Sequence, residues 1–172
     1  MTSPEVRLWP DFVTGSPDLL AQLIKTIEWN EAMRARKTAS FGAPYNYSQM
    51  SYAARDFLPE LAALLSPLGQ TIGWTPNNCL VNFYPNGDAT MGFNFDSLEP
   101  LENGTGVAIV SLGQERVLTF SRRDDKSVRF EQPMPSGSLL LMPAQVQNEW
   151  LHAVLKQPGT GARMSLTFRR LK

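Results

Sequence analysis

The chain has 172 residues, 42% of them hydrophobic, so it can bury one core of ordinary size and is too apolar to be dominated by disorder. Its 16 Lys and Arg balance 16 Asp and Glu, which excludes a polybasic protein holding nucleic acid by bulk charge; any such partner needs a local site. The lone cysteine, Cys79, excludes an intrachain disulfide and a multi-thiolate metal centre, and suits a reducing cytoplasm.

At the N-terminus, Glu5, Arg7, Pro10 and Asp11 interrupt any signal-peptide-like apolar stretch. Ser16-Pro17-Asp18 reads as an N-cap, a proline at the first helical position and an acidic first turn. The helix that follows carries Leu19, Leu20, Leu23, Ile24 and Ile27 on one face. Residues 34 to 52 show no consistent period and concentrate Arg34, Arg36, Lys37, Phe41, Tyr45, Tyr47 and Tyr52, which predicts an irregular lid or a short hairpin. A second helix is expected from near Pro59, with Leu61, Leu64, Leu65 and Leu68 inward and Pro67 and Gly69 ending it.

From Asn78 the pattern becomes period two, broken by turn residues such as Pro85-Asn86-Gly87-Asp88, Asn103-Gly104 and Ser136-Gly137. Eight strands are expected: Leu80 to Tyr84, Thr90 to Phe95, Val107 to Leu112, Val117 to Ser121, Val128 to Gln132, Gly137 to Met142, Glu149 to Leu155 and Arg163 to Arg169. The aliphatic run Leu139 to Met142 stops at Pro143, far short of the roughly 20 residues that span a bilayer, so no membrane partner is expected. The predicted class is mainly β with N-terminal α-helices, an antiparallel sandwich or barrel with the helices on one outer face. Residues 1–172 form one expected domain, with helices and lid in 1–76 and the barrel core in 77–172.

Side chains two apart in a strand share a face, which sorts the polar residues. Asn94 and Asp96 converge, opposite Met91, Phe93 and Phe95. Asn82 and Tyr84 share a face with Leu80. Arg163, Ser165, Thr167 and Arg169 make one wholly polar face in the last strand. That face is either a solvated edge or a barrel interior lined with two arginines, and in the second case it is an anion site. His152, the lone histidine, follows Trp150-Leu151 in a predicted strand.

Several motifs in this order and spacing resemble the AlkB family of iron(II)- and 2-oxoglutarate-dependent dioxygenases, over roughly residues 34 to 172. They are Arg36 to Gly42; Tyr45-Asn46-Tyr47-Ser48; Leu80 to Tyr84 with Gly87; Asn94-Phe95-Asp96; Val110 to Gly113; Gly137 to Leu140; Trp150-Leu151-His152; and Arg163 to Arg169. The resemblance implies a double-stranded β-helix, the jelly-roll barrel, with iron(II), 2-oxoglutarate and oxygen as cofactor and cosubstrates. Asp96 and His152 match the catalytic carboxylate and second histidine of the facial iron triad. Arg163 matches the arginine that pairs with the distal carboxylate of 2-oxoglutarate; Asn82, Tyr84 and Arg169 match residues that hydrogen-bond it, with Leu80 and Ser165 on the same faces. In this chemistry oxygen and 2-oxoglutarate give succinate and carbon dioxide while a C–H bond is hydroxylated, and a hydroxylated N-methyl group leaves as formaldehyde.

One position departs from the family pattern: Asn94 stands where the first triad histidine belongs. A neutral amide is a poorer iron ligand than imidazole. Three accounts fit: an engineered loss, a natural pseudoenzyme, or a centre in which Asn94 or water fills the position. The expected pocket still takes metal and 2-oxoglutarate through Asn94, Asp96, His152, Arg163 and Arg169. For substrate, Arg36, Phe41, Tyr45 and Tyr47 suit stacking a base and holding phosphate, with Glu99 in place of the acidic residue that Leu98 replaces. The expected partner is methylated DNA or RNA, and the expected state a cytoplasmic monomer. A 2-oxoglutarate-binding pseudoenzyme, or a hydroxylase of a protein or small molecule, is the alternative.

Overall fold

The structure, a computed structural model, describes residues 3–47 and 49–172, so Ser48 of the tyrosine motif lies outside the described residues. The elements in chain order are β1 (Arg7–Trp9), α1 (Ser16–Thr26), β2 (Lys37–Gly42), β3 (Tyr45–Tyr47), β4 (Met50–Tyr52), α2 (Pro59–Ile72), β5 (Asn78–Tyr84) and β6 (Met91–Asn94). Then come β7 (Gly106–Gly113), β8 (Arg116–Arg122), β9 (Arg129–Met134), β10 (Leu139–Pro143), α3 (Val146–Glu149), β11 (Trp150–Val154) and β12 (Arg163–Arg169).

A six-stranded sheet in the order β1-β10-β7-β12-β5-β2 packs against a four-stranded sheet in the order β6-β11-β8-β9, and β3 and β4 form a separate hairpin. Period-two alternation gives the large sheet two different faces. Cys79, Val81 and Phe83 of β5 and Met164, Leu166 and Phe168 of β12 meet Leu23 and Ile27 near α1 and Leu61 and Leu68 of α2 in one core cluster. The opposite face contributes Leu80, Val107 and Ile109 to a second cluster with Leu118, Phe120 and Trp150 of the small sheet. Among the described residues no helix is long and apolar enough to cross a membrane.

Three local expectations change. Gly15, with φ 66°, precedes α1, and Ser16 is already helical. The Ser16 hydroxyl is taken by Ser136 Oγ at 2.8 Å, so it caps nothing. α2 runs through Pro67 to Ile72 and stops at Gly73, with φ 90°. Pro67 and Ala63 both lie exposed, so the carbonyl that loses its helical donor there can turn to water. Within residues 34 to 52 only the end is a hairpin, because residues 37–42 pair with β5 as a regular strand. β2 escapes the sequence pattern because its inward side chains are polar: Thr38 Oγ1 meets the Tyr52 hydroxyl at 2.7 Å and Ser40 Oγ accepts from Asn78 Nδ2 at 3.1 Å.

The turn after β5 needs glycine for space. Gly87 N–H donates to Thr160 O at 3.1 Å and its carbonyl accepts from Gln157 N at 2.9 Å. A Cβ on Gly87 would lie 1.9 Å from Gln157 O. Gly87→Ala should therefore cost about 2 kcal/mol, seen as a fall in Tm of roughly 4–8 °C in a thermal scan; an unchanged Tm would mean that the turn relaxes freely.

Candidate functional site

The site is built on β12. This strand lies between β7 and β5, not at an edge, and its polar face points between the two sheets. All seven of its residues are buried. One cavity there is lined by Leu80, Asn82 and Tyr84 from β5, Asn94 and Asp96 at the end of β6, His152 from β11, and Arg163, Ser165 and Arg169 from β12. The register of β6 on β11 shifts between the Asn94–His152 and Met91–Val154 pairs. That irregularity turns Met91 into the same cavity as Asn94, against the simple alternation expected from sequence.

Arg163 is fully buried and donates through Nη2 to Ser111 Oγ at 3.0 Å, while Nε and Nη1 have no partner. Burial lowers its pKa, with the nearby Tyr84 opposing. A second buried cation, Arg116, was not singled out from sequence. Its Nη2 donates to Leu155 O at 2.8 Å and Ala89 O at 2.9 Å. Both guanidiniums lie over the Tyr84 ring, at 5.5 Å for Arg116 and 5.3 Å for Arg163. Nothing in the local sequence separates Arg116 from an ordinary strand-end arginine.

At the other end of β12, Arg169 Nη2 donates to Asp96 Oδ2 at 3.0 Å, both side chains being almost fully buried. Burial alone would lower the Arg169 pKa, but Asp96, helped by Tyr45, outweighs it and the net direction is upward. Arg169 Nε and Nη1 remain unpartnered. The Asp96 N–H donates to Gln147 Oε1 at 2.7 Å, so the buried Gln147 of α3 fixes the backbone of the carboxylate. Sequence reading missed Gln147 because a four-residue helix shows no periodicity.

Burial lowers the pKa of His152, against the pull of Asp96, which leaves a neutral imidazole able to ligate metal. Its Nδ1 is buried without a partner. Asn94 Nδ2 donates to Gly92 O at 2.7 Å and to His152 O at 3.2 Å. Flipping the amide would set oxygen against two carbonyls, so the unpartnered buried atom is Oδ1. Among the described residues no three His, Cys, Asp or Glu side chains cluster as a metal site. With Asn94 Oδ1 as third donor, Asp96 and His152 make a set that suits a divalent cation, more weakly than one with two imidazoles.

The mouth is formed by the β3–β4 hairpin. Tyr45 and Tyr47 stack with ring centroids 6.3 Å apart and line a groove with Asn94, Phe95 and Asp96. Burial pushes the Tyr45 hydroxyl to about 12, so it stays protonated at neutral pH. The other three expected substrate residues are placed differently. Phe41 faces the helix-side core with the Arg55 guanidinium 4.1 Å above it, because β2 turns its odd positions away from the cavity. Arg36 is buried and braces the site from within: Nε donates to Asn82 Oδ1 at 2.7 Å and Nη2 to the Tyr47 hydroxyl at 3.5 Å. Glu99 is exposed beyond Leu98, which packs on the inner core, and does not line the groove.

A family model described as the 2OG-Fe(II) oxygenase superfamily matches residues 11–169. The human DNA oxidative demethylase ALKBH2 is 26% identical, over 94% of this chain and 64% of that protein. The mouse alpha-ketoglutarate-dependent dioxygenase alkB homolog 3 is 28% identical, over 95% of this chain and 65% of its own length. The chain thus spans a little under two thirds of these relatives. The solved structure of OsALKBH1 shares the fold, with a TM-score of 0.75 at 18% identity, covering 98% of this chain and 99% of that one.

The Asp96–Arg169 pair yields a stability prediction. Asp96→Leu strands a buried guanidinium and should cost about 3–5 kcal/mol in urea unfolding, whereas Asp96→Leu with Arg169→Met should recover most of it. Equal losses in the single and double variants would show that the two groups do not compensate each other.

Proposed function

The chain belongs to the 2OG-Fe(II) oxygenase superfamily, and on that premise we propose that it binds 2-oxoglutarate in the β12 cavity and oxidatively demethylates alkylated nucleic acid, at a rate lowered by Asn94. One observation carries the reading: the cavity wall buries two arginines against a single carboxylate, with four guanidinium nitrogens unpartnered on Arg163 and Arg169. A buried cation without acceptors is costly, and a small dicarboxylate supplies what these nitrogens lack. Arg163, steadied by Ser111 and Tyr84, takes the distal carboxylate; Asn82, held by Arg36, and Arg169 orient the other end. Leu80 and Ser165 shape the floor.

Asp96, His152 and Asn94 Oδ1 would hold iron(II), which when bound supplies the activation of oxygen for C–H hydroxylation. Arg169 Nη2 orients the Asp96 carboxylate through Oδ2, and Gln147 fixes its backbone. Tyr45 and Tyr47 shield the mouth and offer a flat apolar wall to a base. Similarity to a DNA oxidative demethylase supports nucleic acid as the substrate class. Asn94 itself favours a second reading, a protein that binds 2-oxoglutarate without turning it over.

Arg163→Ala should weaken 2-oxoglutarate binding by more than about a hundredfold, the equivalent of losing one partner of a buried charge pair; unchanged affinity by calorimetry would refute the assignment. Asn94→His should tighten manganese(II) or iron(II) binding by roughly tenfold or more and raise succinate formation with a methylated oligonucleotide. Tighter metal binding without succinate would select the pseudoenzyme reading. Metal binding no tighter than that of the Asn94 protein would mean that residues 94, 96 and 152 do not face one centre.

A further inference from the structure

Directly beside the mouth, Phe95 leaves 46% of its surface exposed, between two residues whose side chains turn into the cavity. The Arg123 guanidinium lies over its ring, with Cζ 4.0 Å from the centroid. One step back, Arg129 covers Phe93 in the same manner at 5.0 Å. Among the described residues neither arginine pairs with a carboxylate. We propose that Phe95 and Arg123 form an outer shelf on which an unpaired base of a single-stranded nucleic acid stacks, next to the base that enters the tyrosine groove. The inference rests on the nucleic-acid substrate proposed above and adds where the strand outside the pocket is held.

The shelf is fixed before any ligand arrives. Arg123 Nη1 donates to Gln147 O at 2.9 Å, and its backbone N–H donates to Glu149 O at 2.9 Å. Gln147 in turn accepts the Asp96 N–H through Oε1, so one buried residue joins the shelf, through its carbonyl, to the backbone of Asp96. A base resting on Phe95 is therefore held in register with the group that faces the reacting atom. Phe95 also borders the groove whose other wall is Tyr45 and Tyr47. An exposed ring with a guanidinium free of any carboxylate partner, beside a groove walled by two tyrosines, matches the needs of a single strand, which offers exposed base faces and a phosphate backbone. A duplex hides those faces. Since the chain has no net charge, binding strength must come from such local stacking and not from a general basic field.

The test is fluorescence anisotropy with a labelled single-stranded oligonucleotide carrying N-methylated bases, and with the same strand annealed to its complement. Wild-type protein should prefer the single strand. Phe95→Ala should weaken that binding by about tenfold, within the range for losing one base–aromatic stack. Phe95→Tyr should restore it. Arg123→Ala should weaken it and lower the slope of affinity against salt by about one. Binding of 2-oxoglutarate by calorimetry should be the same in all four proteins, which separates a lost shelf from a disturbed fold. If Phe95→Ala and Arg123→Ala bind the strand as tightly as wild type, the shelf is wrong while the substrate class stands. If wild type binds 2-oxoglutarate but neither form of the oligonucleotide, the nucleic-acid reading fails and the shelf with it.

Discussion

A guanidinium taken out of water costs several kcal/mol unless an anion or a full set of acceptors replaces the lost hydration, and β12 buries one near each end. The surrounding structure answers that cost unequally. Arg169 gets Asp96, across from it at 3.0 Å, and the face of Tyr45 at 4.6 Å. Arg163 gets one hydroxyl, one thioether and the face of Tyr84. Arg116, behind Tyr84, is tied to backbone carbonyls and adds charge without adding an anion. The space between the sheets is thus an electropositive slot that cannot collapse into an ordinary apolar core, because its walls would then strand more donors than they satisfy.

Most of the slot stands on strands. β5, β6, β11 and β12 each present the relevant side chains by register with a neighbour, so their positions follow from ladder hydrogen bonds shared across a sheet. Loops supply Asp96, and there the structure adds two extra restraints, Gln147 on the backbone and Arg169 on the carboxylate. The mouth belongs to the hairpin instead. Arg36 links the two regions, one face of the guanidinium lying 5.9 Å from the Tyr47 ring while Nε holds Asn82. The same side chain therefore bridges the Asn82 end of the cavity and the aromatic wall at its entrance.

Alternation was enough to read the part of this arrangement that depends on strand faces. The polar row in β12, the Asn82–Tyr84 face and the convergence of Asn94 with Asp96 all follow from period two, and family resemblance supplied their chemistry. What sequence could not show is which side of a strand is inside: the row at Arg163 to Arg169 reads equally as a solvated edge until pairing puts β7 and β5 on either flank. Phe41 and Arg36 were misjudged for the complementary reason. Clustering along the chain suggested a common surface, but in a regular β2 an odd position faces the helices, and Arg36, just before the strand, turns inward to meet Asn82. Gln147 and Arg116 act through backbone groups of distant segments, and no local pattern encodes that.

The amide at residue 94 combines two jobs that a histidine would divide differently. Its nitrogen holds two carbonyls, of Gly92 and His152, and so clamps the end of β6 to β11 at the irregular register. Its oxygen is left free and buried as a direct result of that clamp. An imidazole has two ring nitrogens, and one committed to a metal leaves a single N–H for the backbone, so at least one of those carbonyls must find another donor. The asparagine therefore trades donor strength for local order. On the function proposed above the cost would fall on the metal, since a neutral oxygen competes poorly with imidazole for iron(II), while the guanidiniums of Arg163 and Arg169 depend on neither atom. On the same proposed function, cosubstrate binding and metal binding would be separable properties of the cavity, the first resting on β12 and the second on how firmly one amide is held.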